Sequence, residues 1–113
     1  MPEIENCIFC KIVKGSIPAE KVLETEKILV FKDISSKAPV HLLAIPKEHV
    51  ADLKGISILG KDLFETIAKV SEVAGINSTG FRVVMNQGQD AGQEIEHIHF
   101  HILGGRKLLW PPG

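Results

Sequence analysis

The chain is short of several things that would each point elsewhere. Two cysteines in 113 residues are too few for the disulfide framework of a small secreted domain. Thirteen Lys+Arg against fourteen Asp+Glu give a formal net charge of -1 with no basic block, so the electrostatic footprint of a protein that binds a nucleic-acid polymer is missing. Any nucleotide it takes is expected to be small. No apolar run approaches the roughly 20 residues of a membrane-spanning helix. The N-terminal stretch MPEIENCIFCKIV carries acidic residues where a secretion signal is basic. A cytoplasmic protein without membrane contact is the expectation. Repeats, low-complexity tracts and domain linkers are also absent, and 44% hydrophobic with 24% charged residues is the composition of an ordinary globule. Residues 1–113 are read as a single domain, which at this length buries roughly two thirds of the unfolded chain's surface.

What is present sorts into strands and few helices. Residues 7–13, CIFCKIV, followed by the turn signal GSIP, predict one or two turns of helix. Residues 21–32, KVLETEKILVFK, place the polar centre TEK between two β-prone runs and read as a hairpin. Asp33 opens a turn, and residues 40–45, VHLLAI, form a buried strand stopped by Pro46. Leu59, Leu63, Ile67, Val70 and Ala74 have the spacing of one amphipathic helix over residues 57–74, ended by Gly75. Residues 81–86, FRVVMN, and 97–103, HIHFHIL, are the last two strands, joined by the loop QGQDAGQEIE. Short connections favour antiparallel pairing, so the fold expected is an α+β domain: an antiparallel β-sheet with one long helix and a short N-terminal helix.

Three of the five histidines stand at alternate positions in the last strand. Side chains alternate across a strand, so His97, His99 and His101 project from one face and Ile98, Phe100 and Ile102 from the other. The outer two histidines are then about 13 Å apart, too far to converge on one metal ion. A neutral imidazole is a nucleophile near pH 7, and its protonated form donates two hydrogen bonds to an anion. A row of them suits phosphorus chemistry, with the middle residue attacking and its neighbours fixing its tautomer or stabilising phosphate charge. In the preceding loop, Gly88 and Gly92 permit close backbone approach to an anion, and Asn86 and Gln93 supply side-chain amides.

The motif HIHFHIL resembles the signature of the histidine triad proteins. The segments IFCKIV, FKDIS, APVHLLAIPKEH, GFRVVMNQG, AGQEIEHIHFHILGGR and WPPG resemble the histidine triad nucleotide-binding (Hint) branch over nearly the whole chain. This resemblance implies a homodimer with a sheet continuous across both subunits, and hydrolysis of purine nucleoside 5′-phosphoramidates, such as adenylated amines, through a nucleotidyl-histidine. It makes His99 the nucleophile, with His101, His97 and His41 completing the catalytic cluster. It places Asn86, Gly92, Gln93 and His101 at the phosphate, Asp33 and Ile34 at the ribose and base, and Ile8, Phe9, Phe31 and Leu43 as walls of a purine pocket. Glu94 stands where many relatives carry serine. Its carboxylate would repel phosphate, which leaves its backbone N–H as the group available to the nucleotide.

Cys7 and Cys10 supply half of a tetrahedral zinc site, with His49 and a residue of the triad as further candidates. Redox-active and inert thiols are the competing readings. The resemblance implies a structural zinc held by Cys7, Cys10, His49 and His97, with no catalytic metal. From another class, a purine-nucleotide-binding regulatory or scaffold protein with incidental turnover is the rival to the hydrolase. The apolar residues of VHLLAI and the LLWPPG segment exceed what one small core requires and favour a homodimer.

Overall fold

The computed structural model describes residues 6–113; the N-terminal stretch read for a secretion signal begins outside the described residues. The elements are α1 (Ile8–Lys14), β1 (Lys21–Glu24), β2 (Ile28–Lys32), β3 (Val40–Pro46), α2 (Leu53–Ile56), α3 (Gly60–Val73), β4 (Phe81–Met85) and β5 (Phe100–Gly104). The five strands form one sheet of order β1-β2-β3-β5-β4, antiparallel at every pairing. This is the α+β architecture expected from the sequence.

Strand alternation divides the core between the two faces of the sheet. Ile28, Val30, Leu42, Ala44, Phe100 and Ile102 face α3, where Leu63, Ile67 and Val70 close over them. Leu29, Phe31, Leu43 and Ile45 point the other way and are covered by Phe9, Cys10 and Ile12 of α1. The apolar run of β3 is thus consumed on two faces within one chain, as a central strand requires. It gives no surplus toward a dimer. Of the two segments read that way, only the C-terminal one leaves apolar surface, at Leu109 and Trp110.

Local chemistry explains the helix ends. Cys7 caps α1 with its Sγ accepting from the Cys10 N–H at 3.4 Å. At the other end Gly15 adopts φ 89°, donating to Ile12 and Lys11 carbonyls, a left-handed stop that favours glycine. The helix expected over residues 57–74 is present as α3, with its first turn tightened to 3-10. Asp52 Oδ1 accepts from Gly55 N–H at 2.9 Å and starts α2 upstream; a 3-10 turn over Ser57–Leu59 follows before α3 begins at Gly60. The Asp52 cap sets the start, and the apolar spacing does not register it. The last strand also differs, beginning at Phe100 instead of His97. Beyond Ala44↔Phe100 the neighbouring β3 runs out at Pro46, and Ile98 N–H donates to Val50 O at 2.7 Å.

Candidate functional site

The side chains of His97, His99 and His101 lie on the α1 side of the sheet, opposite Ile98, Phe100 and Ile102, as alternation predicts. The imidazole face is itself largely covered. His97 and His99 are buried, with Phe9 packing edge-on against both rings at centroid distances of 5.7 and 5.1 Å. His101 is partly exposed. Each ring has a different backbone or side-chain partner, and those partners decide which nitrogen carries the proton.

His97 Nε2 lies 2.8 Å from the Pro46 carbonyl, an acceptor only, so Nε2 carries the proton and Nδ1 presents a lone pair. That lone pair faces Cys7 Sγ at 3.3 Å and Cys10 Sγ at 3.6 Å, and His49 Nδ1 is 3.3 Å from Cys10 Sγ. The four ligand atoms lie within 4.8 Å of one another. Tetrahedral zinc with its usual bond lengths sets nitrogen and sulfur about 3.5 Å apart, so this donor set fits the metal, and the Pro46 bond is the outer-shell contact such a histidine needs. Burial pushes the His97 imidazole down to about 4, which keeps it neutral.

His99 Nδ1 lies 2.9 Å from the His97 carbonyl. Nδ1 therefore donates, and Nε2 is left as a lone pair able to act as a nucleophile. His101 is set by a longer chain. The Lys37 N–H donates to His41 Nδ1 at 3.0 Å, so neutral His41 carries its proton on Nε2, 2.9 Å from His101 Nδ1. His101 accepts there and keeps its own proton on Nε2. Asp33 Oδ2 sits 3.3 Å from His41 Nε2 and 4.0 Å from His101 Nδ1, while Oδ1 accepts from the Ser35 N–H at 2.8 Å.

Burial is the main cause that pushes His101 down to about 4, aided by His99 and His41 and opposed by Asp33. Burial also lowers His41, against the opposing pull of Asp33. The ligand atoms of Asp33, His41 and His101 lie close enough for one ion. A metal on His41 Nε2 would displace that ring's single proton while Nδ1 is already occupied by a donor. A proton chain fits this cluster better than a metal.

The remaining expected positions are distributed unevenly. Gly88 and Gly92 both take positive φ, 85° and 79°, around the 3-10 turn Gln89–Ala91. The Gln93 amide is spent inside this loop: Oε1 accepts from the Gly88 N–H at 2.8 Å, and Nε2 donates to the Ile95 carbonyl at 3.0 Å. Asn86 is half-buried, Glu94 and Ile8 are exposed, and Ile34 is exposed in full beside Asp33. Phe9, Phe31 and Leu43 are buried in the core beneath α1. Sequence reasoning missed the Pro46 carbonyl and the Lys37 N–H, which set the tautomers of His97 and His41. Both are backbone groups, and no side-chain pattern announces them.

A HIT domain model matches residues 14–108, and the chain belongs to that family. A HIT-like protein of Helicobacter pylori is 46% identical over 101 residues, covering 88% of this chain and 97% of its own. A solved HIT family hydrolase from Legionella pneumophila superposes with a TM-score of 0.91 at 45% identity, over 96% of this chain and all (100%) of that one. A histidine triad nucleotide-binding protein from Candida albicans superposes with a TM-score of 0.83 at 36% identity, covering 96% of this chain and 85% of its own.

Proposed function

We propose that the chain is a single-domain, cytoplasmic enzyme of the Hint branch that hydrolyses purine nucleoside 5′-phosphoramidates through a covalent intermediate on His99. The observation that carries this reading is the bond from His99 Nδ1 to the His97 carbonyl, which aims an unprotonated Nε2 away from its own backbone. His99 Nε2 forms a bond to the α-phosphorus as the phosphorus–nitrogen bond breaks, and the leaving amine takes a proton from solvent, which the water of the second step returns. Water then attacks the same phosphorus, giving the nucleoside monophosphate and restoring the free imidazole. The Nε2–H of His101 donates to a phosphate oxygen on which charge builds. The Asn86 side-chain amide and the Glu94 backbone N–H are the further phosphate partners, with Gly92 and Gln93 shaping the loop beside them through N–H bonds to the Gln89 and Gly88 carbonyls, and Asp33 accepts from ribose hydroxyls. Ile34 and Ile8 close on the purine ring; Phe9, Phe31 and Leu43 lie behind it.

The relatives support this reading by what they are named: a hydrolase in one case and a nucleotide-binding protein in the other. A zinc ion on Cys7, Cys10, His49 and His97 would hold α1 to the sheet in a closed four-ligand site and take no part in the chemistry. The subunits pair as a homodimer through β4, one of the two edge strands, whose Phe81 and Val83 are exposed, as are Phe64 and Trp110.

The deciding experiment is mass spectrometry of protein quenched during turnover of an adenosine 5′-phosphoramidate. An adenylyl adduct on His99, absent from His99→Ala along with more than about 99% of the activity, is the expected result. Turnover at the wild-type rate in His99→Ala would remove the covalent mechanism. Tight AMP binding with no turnover in the wild type would leave the regulatory binding protein standing.

A further inference from the structure

The segment that follows β5 is built to hold the loop between β2 and β3. Gly105 takes φ +90°, and a Cβ there would meet Pro39 Cβ at 2.8 Å, so only glycine allows this approach. The next residue, Arg106, donates through Nη2 to the Lys37 carbonyl at 3.0 Å and through Nη1 to the Lys107 carbonyl at 3.0 Å. Lys37 is the residue whose N–H donates to His41 Nδ1. Its own side chain is exposed, and the loop around it is held mainly by local bonds, such as Ser36 Oγ to the Ala38 carbonyl at 2.6 Å.

We infer that Arg106 is a positioning residue for the reaction: by fixing Lys37 it fixes the tautomer of His41, and through His41 it keeps the proton of His101 on the nitrogen that faces phosphate. The physical step is the pairing of donors with acceptors. With the Lys37 N–H in place, His41 Nδ1 can only accept, its Nε2 can only donate, and His101 Nδ1 must accept. Release of Lys37 leaves the Asp33 carboxylate, 3.3 Å from His41 Nε2, as the remaining hold on that proton, and lets His41 carry it on Nδ1 in part of the molecules. His101 would then lose its donor and could turn its own proton toward His41, presenting a lone pair to the phosphate in place of an N–H. No charge changes in this exchange. One hydrogen bond to the reacting group changes sign, from attraction to repulsion.

The inference rests on the phosphoramidase reading only for its kinetic arm. Arg106→Ala is expected to lower kcat for an adenosine 5′-phosphoramidate by about ten-fold or more, with KM changed less than about two-fold, since its guanidinium is committed to the Lys37 and Lys107 carbonyls. Arg106→Lys, which keeps a cationic donor, should recover much of the loss. In 15N-histidine NMR the Nδ1 signal of His41 should move from the unprotonated position toward an average of both tautomers in Arg106→Ala. A purely structural role for Arg106 would leave that signal in place. Lys37→Pro removes the N–H itself and should reproduce both effects if Arg106→Ala does not fold. Wild-type kcat and an unshifted His41 signal in the folded variants would overturn the inference. Absence of turnover in the wild type would instead sink the phosphoramidase reading, with the NMR arm still deciding the tautomer chain.

Discussion

Acid should destabilise the protein through His101, and the size of the effect follows from its surroundings. The side chain is 20% exposed and packed edge-on against His99 and tilted against His41, so that burial holds its imidazole down to about 4 against an ordinary 6.5. The depressed value means that the unfolded chain binds a proton between those limits and the folded chain does not. Stability is therefore full above pH 6.5 and declines as pH falls toward 4, where the loss levels off. At about 1.36 kcal/mol per unit, the linkage relation gives a loss of about 2 kcal/mol by pH 5 and about 3 kcal/mol at pH 4. Against a total of about 5–15 kcal/mol for a domain, that loss is large. The assay is urea unfolding at pH 7.5, 5 and 4, at one protein concentration and with chelator throughout, of wild type beside His101→Gln. Subtraction of the variant isolates His101 from His97 and His41, which acidify in parallel. The wild type should lose about 2 kcal/mol more than the variant between pH 7.5 and 5. A difference that stays constant across that range would refute the reasoning, because it would mean that His101 protonates equally well in the folded and unfolded chains.

Two further outcomes are expected. Cys7→Ser with Cys10→Ser should reduce bound zinc to background by elemental mass spectrometry and lower the melting temperature, while phosphoramidate turnover of the folded fraction persists; zinc content equal to wild type would remove the Cys7, Cys10, His49 and His97 site. Light scattering at micromolar concentration should give twice the 12.4 kDa chain mass, and a monomer would contradict pairing through β4.

The sheet and its two faces were legible because period-two alternation is written in side chains. Ile98, Phe100 and Ile102 fall on the α3 face and the histidines on the other, where the sequence put them. Boundaries were less legible, because they depend on partners far along the chain. The last strand starts at Phe100 since β3, its neighbour, runs out at a proline, and no pattern within HIHFHIL encodes that. Apolar spacing places the helix over residues 57–74, but it shows neither that the first turn tightens to 3-10 nor that Asp52 caps a short helical turn upstream. Burial of the apolar run in β3 shows a related limit. Hydrophobicity alone does not tell a two-faced central strand from surplus surface.

The division of labour among the histidines comes from the partners of the rings, not from the rings themselves. Three identical side chains at alternate positions acquire three different reactive atoms: Nδ1 of His97 faces the cysteines because Pro46 holds Nε2; Nε2 of His99 is bare because the His97 carbonyl holds Nδ1; Nε2 of His101 carries a proton because His41 holds Nδ1. In two of the three cases the deciding group is a main-chain carbonyl, and in the third the assignment traces back to a main-chain N–H at Lys37. The His97 residue links the first two cases, since its ring faces Cys7 and Cys10 while its carbonyl holds His99 Nδ1. A shift of His97 that loosened the Cys7 and Cys10 contacts would therefore also move the acceptor that fixes the His99 tautomer. The order of the run thus matters as much as its composition, because His99 takes its partner from the residue two before it while His97 and His101 take theirs from Pro46 and His41.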